Sequence, residues 1–225
     1  MASQEALRAC PRASSITLDP HKLGFVPYAC GAFVVPDARS YRVSTIHAPY
    51  LENTEDAPFP SWSTTLEGSR AATGPSAVWL SAQVLPLTPS GHGAYLNASL
   101  RITRELGDFI AKIAPSIHML PAGDTNLICF AVAEPGETLR QANNRTEAVI
   151  AYFRDSPALS VTRTHLGVDN YGELISGVVD LWGGAIDAEQ LTVVRMVAMN
   201  PYLDSDAILE GIRGQLQSAL LEALG

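Results

Sequence analysis

The sequence is poor in the residues that mark several common classes of protein. Its three cysteines, Cys10, Cys30 and Cys129, form no Cys-x-x-Cys pair, which argues against a disulfide framework and favours a reducing compartment. The five histidines show no His-x-x-x-His or His-x-His spacing, so we expect no metal site. No apolar run reaches the roughly 18 residues of a membrane span and no secretory signal is recognised, which predicts a cytoplasmic protein without membrane attachment.

Positive charge is scarce as well. The chain has 15 lysines and arginines against 23 acidic residues, a formal net charge of −8, and its arginines are scattered singly. Binding to a nucleic-acid backbone needs concentrated positive charge, so we expect no nucleic-acid partner. Apolar residues make up 47% of the chain and charged residues 17%, a balance typical of a folded protein with a sizeable core.

Only two lysines occur, Lys22 and Lys112, and the first stands in an unusual setting. Lys22 lies in SITLDPHKLGFVPYACGAF, residues 15–33, and residues 23–36 contain no charged side chain. A lysine at the end of a strand is usually solvated. A lysine held among apolar side chains would instead have a lowered pKa and a nucleophilic amine, able to form a Schiff base with a carbonyl. The residues alone leave both interpretations open.

The hydrophobic pattern predicts an α/β protein in two regions, 1–90 and 91–225. Strands are predicted at 14–18, 30–35, 116–120, 126–132, 159–165 and 191–198, and helices at 75–85, 91–114, 137–153 and 205–224. The first region has two strands and a long loop, 46–68, which cannot cover their own faces, so this region looks incomplete. The last helix is expected to bury a stripe with a spacing of four residues against the strands at 126–132 and 191–198: Ile208, Ile212, Leu216, Leu220 and Leu224.

The segment around Lys22 resembles the lysine segment of the pyridoxal-phosphate-dependent group II amino-acid decarboxylases. That family has a Ser/Thr-rich strand, then Asp or Asn, any residue, His and Lys, and then a run rich in Gly, Pro and aromatic residues. Two later segments are similar to the same family, most closely to its tyrosine-decarboxylase-like branch: TTLEGSRAATGPSAVWLSAQVLPLTPSGHGAYLNASL and LTVVRMVAMNPYLDSD. The resemblance implies the C-terminal half of a fold-type I enzyme. Residues 1–90 would be the end of the large mixed-sheet domain, and residues 91–225 a linker helix and a small α+β domain.

The resemblance also implies roles for individual residues. Lys22 would form the Schiff base with pyridoxal 5'-phosphate, and Asp19 and His21 would lie in the same cofactor site, with His21 at or near the phosphate. Ser69, in EGSR, would touch the phosphate bound in the neighbouring subunit. Tyr50, in APYLENTED, falls where the family has a mobile-loop tyrosine that enters the partner's active site and serves as the catalytic acid.

Other interpretations of these residues stay open. Tyr50 is equally well explained as an ordinary half-buried aromatic residue of a loop. Ser69 and Arg70 would also suit a helix N-cap and a surface charge. Arg195 lies in an apolar strand, where its guanidinium is expected to pair with a carboxylate of the substrate or of the protein itself.

By resemblance, the chain takes part in the decarboxylation of an L-amino acid, aromatic by branch, to an amine and carbon dioxide. It would act as a homodimer or as the complement of an N-terminal half. Family members carry, before the lysine, an aspartate for the pyridine nitrogen, a histidine stacked on the ring and a phosphate cradle, and residues 1–21 match none of them. Three interpretations follow. The chain is a decarboxylase completed by an N-terminal half; another enzyme of this fold, such as an aldolase or aminotransferase; or a non-catalytic fragment that binds a related decarboxylase. The EGSR segment and the Tyr50 loop argue against the second.

Overall fold

The computed structural model describes residues 2–46, 61–154 and 159–225. The chain forms two compact units, Met1–His92 and Gly93–Gly225. Within the described ranges, every helix is too short or too polar to span a lipid bilayer.

The first unit contains a two-stranded antiparallel sheet. Strand β1 (Ile16–Leu18) pairs with β2 (Ala32–Val34), with Thr17 opposite Phe33. Helix α1 (Ala2–Ala9) precedes the sheet and helix α2 (Thr73–Val84) follows it. The β-branched and aromatic residues of the two strands favour extended backbone, and Pro86 prevents α2 from continuing.

The second unit contains a four-stranded antiparallel sheet with the strand order β3-β4-β6-β5. Its strands are β3 (Ile117–Met119), β4 (Leu127–Val132), β5 (Thr162–Gly167) and β6 (Gln190–Val197). Its helices are α3 (His92–Ile110), which starts at the last residue of the first unit, α4 (Leu139–Arg154), α5 (Val168–Val179) and α6 (Asp206–Leu224).

Both faces of this second sheet are covered by helices. On one face, Ile128, Phe130 and Val132 are buried in a cluster with residues of α3, α4 and α6. On the other face, Ala131 and Ala133 are buried in a cluster with α5 and the start of α4. Successive side chains of a strand point to opposite faces of its sheet, which explains why neighbours in β4 belong to different clusters.

The sequence analysis does not predict two of the helices, α1 and α5. Helix α5 contains Gly172 and Gly177, which lower helix propensity, and it follows β5 without an intervening turn. Its backbone is also kinked at Tyr171, with φ of −129° and ψ of 23°. The start of α5 also has no capping side chain, because its N-cap residue is Gly167, so the sequence gives no clear start signal for this helix.

The predicted stripe of α6 is wrong at its first position. Ile208 is exposed, and Leu209 is buried in its place, together with Leu216 and Leu220. Ile212 and Leu224, also part of the predicted stripe, pack partly buried against the same cluster. A strict spacing of four residues drifts by about 40° per step around a helix of 3.6 residues per turn, so the two ends of such a stripe cannot share one face.

Leu216→Ala is expected to lower the free energy of unfolding by about 2–5 kcal/mol, because it leaves a cavity in a packed core. Leu216 is almost completely buried in the cluster on the α6 side of the sheet. Ile208→Ala is the matched control and should cost less than about 0.5 kcal/mol at its exposed position. Urea unfolding followed by circular dichroism measures both losses. Equal small losses would mean that α6 does not pack as described.

Candidate functional site

Lys22 lies on a tight turn between β1 and β2. The Lys22 N–H donates to the Asp19 carbonyl at 2.9 Å, and the Phe25 N–H donates to the Lys22 carbonyl at 3.1 Å. A Cβ atom on Gly24 would lie 2.4 Å from the carbonyl oxygen of Pro20, so this position requires glycine. The Asp-Pro pair starts the turn and the glycine lets it close, which presents the lysine side chain on the outside.

The Lys22 side chain forms an ion pair with Asp19 rather than an apolar contact. Its Nζ lies 2.6 Å from Asp19 Oδ2, and 58% of the side chain is exposed. The hydrogen bond to Asp19, and then its negative charge, raise the pKa of Lys22, while the same hydrogen bond lowers the pKa of Asp19. Of the two interpretations that the sequence leaves open, the structure supports the solvated lysine and not the desolvated one with a lowered pKa. The uncharged run 23–36 follows Lys22 in sequence but does not enclose its amine.

His21 is oriented by the backbone of the buried residue Cys30. The His21 Nδ1 lies 2.5 Å from the Cys30 carbonyl oxygen, which also accepts the His21 backbone N–H at 3.3 Å. A carbonyl oxygen only accepts, so Nδ1 carries the proton of this hydrogen bond. The ring of Tyr28 lies against the imidazole, with centroids 4.2 Å apart. Cys30 and Tyr28 thus support the site, a role that the sequence does not reveal because both sit in an unpatterned turn.

The other predicted site residues of the first unit are Ser69 and Tyr50. Ser69 and Arg70 are exposed and follow Gly68, which has a φ of 57°. The N-cap of α2 is Ala72, so Ser69 does not cap that helix. Tyr50 lies outside the described residues.

Arg195 lies on β6 of the second unit, opposite Cys129 of β4. Its Nε donates to Thr162 Oγ1 at 3.0 Å. Among the residues that the structure describes, no carboxylate forms a salt bridge with Arg195. The expected pairing with a protein carboxylate is therefore not seen in those ranges, and a hydroxyl group takes its place.

Asp19→Asn is expected to make the Lys22 amine more reactive at pH 8 by roughly 2–10-fold, because a lowered pKa increases the fraction of free amine. The sign follows from the ion pair: Asp19 raises the pKa of Lys22, so removing its charge lowers that pKa. Competitive acetylation followed by peptide mass spectrometry measures the reactivity. Asp37→Asn is the control, because Asp37 pairs with Arg39 in the same unit and should leave Lys22 unchanged. Equal reactivity of the Asp19 variant and the native chain would contradict the ion pair.

The whole chain was compared with families, sequences and structures of known proteins. No protein-family model matches the chain. The L-tyrosine decarboxylase of Enterococcus faecalis is 27% identical over 239 residues, which cover 98% of this chain and 38% of the enterococcal protein. The L-aspartate decarboxylase of Thermococcus kodakarensis is 27% identical over 155 residues, which cover 68% of this chain and 38% of the archaeal protein. The crystal structure of Oryza sativa TDC with PLP and tryptamine matches with a TM-score of 0.70 at 13% identity, covering 97% of this chain and 41% of that chain.

The similarities to solved structures confirm the predicted α/β fold class, with this chain matching the C-terminal part of those structures. The sequence similarities confirm the resemblance to the amino-acid decarboxylases, and the L-tyrosine decarboxylases match this chain over almost its whole length. The chain spans only about two fifths of the length of these relatives. The activity of the complete relatives therefore comes to this chain only as a proposal.

Proposed function

We propose that this chain supplies the lysine-bearing part of a pyridoxal-phosphate-dependent amino-acid decarboxylase, a carboxy-lyase that is active when the rest of the enzyme is present. The observation that carries this proposal is the match to an L-tyrosine decarboxylase over 98% of the chain. The exposed Lys22 on its glycine-dependent turn supports it, because a lysine that binds a cofactor aldehyde has to be accessible.

The residues around Lys22 fit the covalent part of a pyridoxal phosphate site. When bound, that cofactor supplies an aldehyde for attachment to lysine and a ring that accepts the electrons released as carbon dioxide leaves. Lys22 is the proposed attachment point, and Asp19 and His21 are the proposed contacts beside it. Ser69 is proposed to contact the phosphate bound in a neighbouring subunit. The remaining contacts would come from the part of the relatives that this chain does not span.

The other candidate site residues also have proposed roles. Asp19 stabilises the protonated form of Lys22, so this pair has to separate and the amine has to lose its proton before it can attach to a carbonyl. Tyr50, proposed from the sequence, returns a proton to the α-carbon; a tyrosine with a pKa of about 10 is protonated at neutral pH. Arg195 is the proposed partner of the substrate carboxylate, since a guanidinium binds a carboxylate through two hydrogen bonds.

The proposed substrate is an L-amino acid, aromatic by similarity to the L-tyrosine decarboxylases. The proposed assembly is a homodimer or a complex with a chain that carries the missing portion. The proposed location is the cytoplasm, because an odd and sparse set of three cysteines suits a reducing compartment.

The test uses a chimera, in which this chain replaces the matching portion of the Enterococcus faecalis L-tyrosine decarboxylase. With pyridoxal phosphate and L-tyrosine, the chimera should release carbon dioxide and the corresponding amine. L-Aspartate serves as the competing substrate, because relatives of both kinds match this chain. A chimera that binds the cofactor but releases carbon dioxide from neither amino acid would contradict the proposed activity.

A further inference from the structure

In the part of the chain that the structure describes, both faces of the small sheet of the first unit leave large apolar side chains exposed. Phe33 and Val34 are neighbours in β2, so their side chains point to opposite faces, yet they are 54% and 47% exposed. Leu18 of β1 is exposed as well. The run 32–35 is apolar without alternation, which is typical of a strand that is buried on both faces. A two-stranded sheet in this condition is marginally stable in water.

Helix α2 is largely exposed as well. Its sequence, TGPSAVWLSAQV, contains no charged residue, and none of its residues is buried. Trp79, Leu80 and Val84 are all largely exposed. One face of α2 is half-buried, with Gly74 next to Cys30, while Trp79, Leu80 and Val84 lie on the exposed side. A helix without a charged face is normally enclosed by other elements, so this exposure is unfavourable for α2.

The two units differ sharply in their interiors. Both clusters of buried hydrophobic side chains identified among the described residues belong to the second unit. In the described part of the first unit, the buried hydrophobic residues are Val26 and Cys30. The second unit thus has a core of its own, while the unit that carries Lys22 exposes the side chains from which a core would be made.

We propose that these exposed side chains, which we call the first-unit apolar surface, form the docking surface for the portion of the decarboxylase that this chain does not span. The surface consists of Leu18, Phe33, Val34, Trp79, Leu80 and Val84. The occupant is a polypeptide equivalent to the rest of the relatives, of which this chain covers 38%. This inference rests on the proposed function, because it names the partner that completes the site around Lys22.

A second copy of the chain fits this surface less well. A symmetric dimer contact presents one patch of each copy to the other and therefore covers one side of an element. The small sheet is exposed on both faces and α2 presents apolar residues without a charged side. Covering both needs several packed elements, as in the layered sheets of α/β proteins.

Hydrogen exchange of the backbone amides tests the proposal without requiring cofactor or activity. In the isolated chain, β1, β2 and α2 should exchange rapidly, while β4 and β6 of the second unit are protected. In the chimera, exchange over β1, β2 and α2 should slow by about tenfold or more, since covering an element suppresses its local opening. Exchange in β4 and β6 should change little. If the chimera shows this protection but does not decarboxylate either amino acid, the proposed function is overturned and the proposed docking surface still holds.

Three outcomes would overturn the docking proposal. Protection of β1, β2 and α2 in the isolated monomeric chain, as strong as in β6, would mean that the surface is already covered. Protection that appears only when the isolated chain associates with itself would identify a second copy as the occupant. Analytical ultracentrifugation measures that association. Unchanged rapid exchange in the chimera would show that the missing portion does not cover these elements.

Paired variants locate the surface. Trp79→Glu places a charge on α2 and should reduce the protection of α2 in the chimera by about tenfold, because the charge would have to be buried on docking. Leu221→Glu on α6 of the second unit is the control, since Leu221 is also exposed and lies outside the proposed surface. Both positions are exposed, so neither substitution should unfold the isolated chain. Full protection of α2 in the Trp79 variant would contradict its place in the interface.

Discussion

Borohydride reduction of the cofactor-loaded chimera is expected to fix the cofactor on Lys22 and to leave Lys112 unmodified. Reduction converts the carbon–nitrogen double bond between a lysine amine and the cofactor aldehyde into a stable single bond, which peptide mass spectrometry detects. Both lysines are exposed, so accessibility does not distinguish them. The turn from Asp19 to Cys30 does, because it places a histidine of fixed orientation next to Lys22.

Two variants sharpen the result for Lys22. Lys22→Arg keeps a positive charge beside Asp19 but removes the amine that attaches to an aldehyde, so the label and carbon dioxide release should both be lost. Lys112→Arg should retain both. A label that persists in the Lys22 variant and disappears in the Lys112 variant would show that the attachment point is misassigned.

Tyr50→Phe is expected to lower decarboxylation by the chimera by about 10²–10⁴-fold, the usual contribution of a positioned acid. The substitution removes one hydroxyl group and no other atom, so the cofactor content, measured by absorbance, should be unchanged. Steady-state release of carbon dioxide and amine measures the effect. This prediction comes from the sequence APYLENTED and its similarity to the loop of the decarboxylases.

The control for Tyr50 is Tyr202→Phe, because Tyr202 is an exposed tyrosine of the second unit. Its rate should match that of the unmodified chimera. Near-normal amine production by the Tyr50 variant would make Tyr50 a packing residue. A rate that falls in step with the cofactor content would give it a structural role, and the acid would then have to be another group.

The sequence predicts structural features that depend on residues close together in the chain. It does not predict features that depend on contacts between residues far apart in the chain. The lysine segment is recognisable because its turn is built from a short stretch of chain, Asp19 to Cys30. The surroundings of the Lys22 amine are not recognisable from the sequence, because the composition of the uncharged stretch 23–36 does not reveal which side chains that stretch contacts. The same limit applies to Arg195, whose partner Thr162 is 33 residues away in sequence. In α6, the exchange of Ile208 for Leu209 shows how a small error in helical period displaces a predicted face.

The local character of the Lys22 turn has a consequence for folding kinetics. Its backbone hydrogen bonds join residues that are three to nine positions apart, such as Lys22 to Asp19 and His21 to Cys30. Contacts of such short range close quickly, because the entropy lost on closing a loop grows with its length. The turn can therefore form at an early stage of folding, before any long-range pairing is complete. Under the proposed docking, the step expected to be slow in assembling a working site is the arrival of the elements that cover the small sheet, not the shaping of the lysine segment.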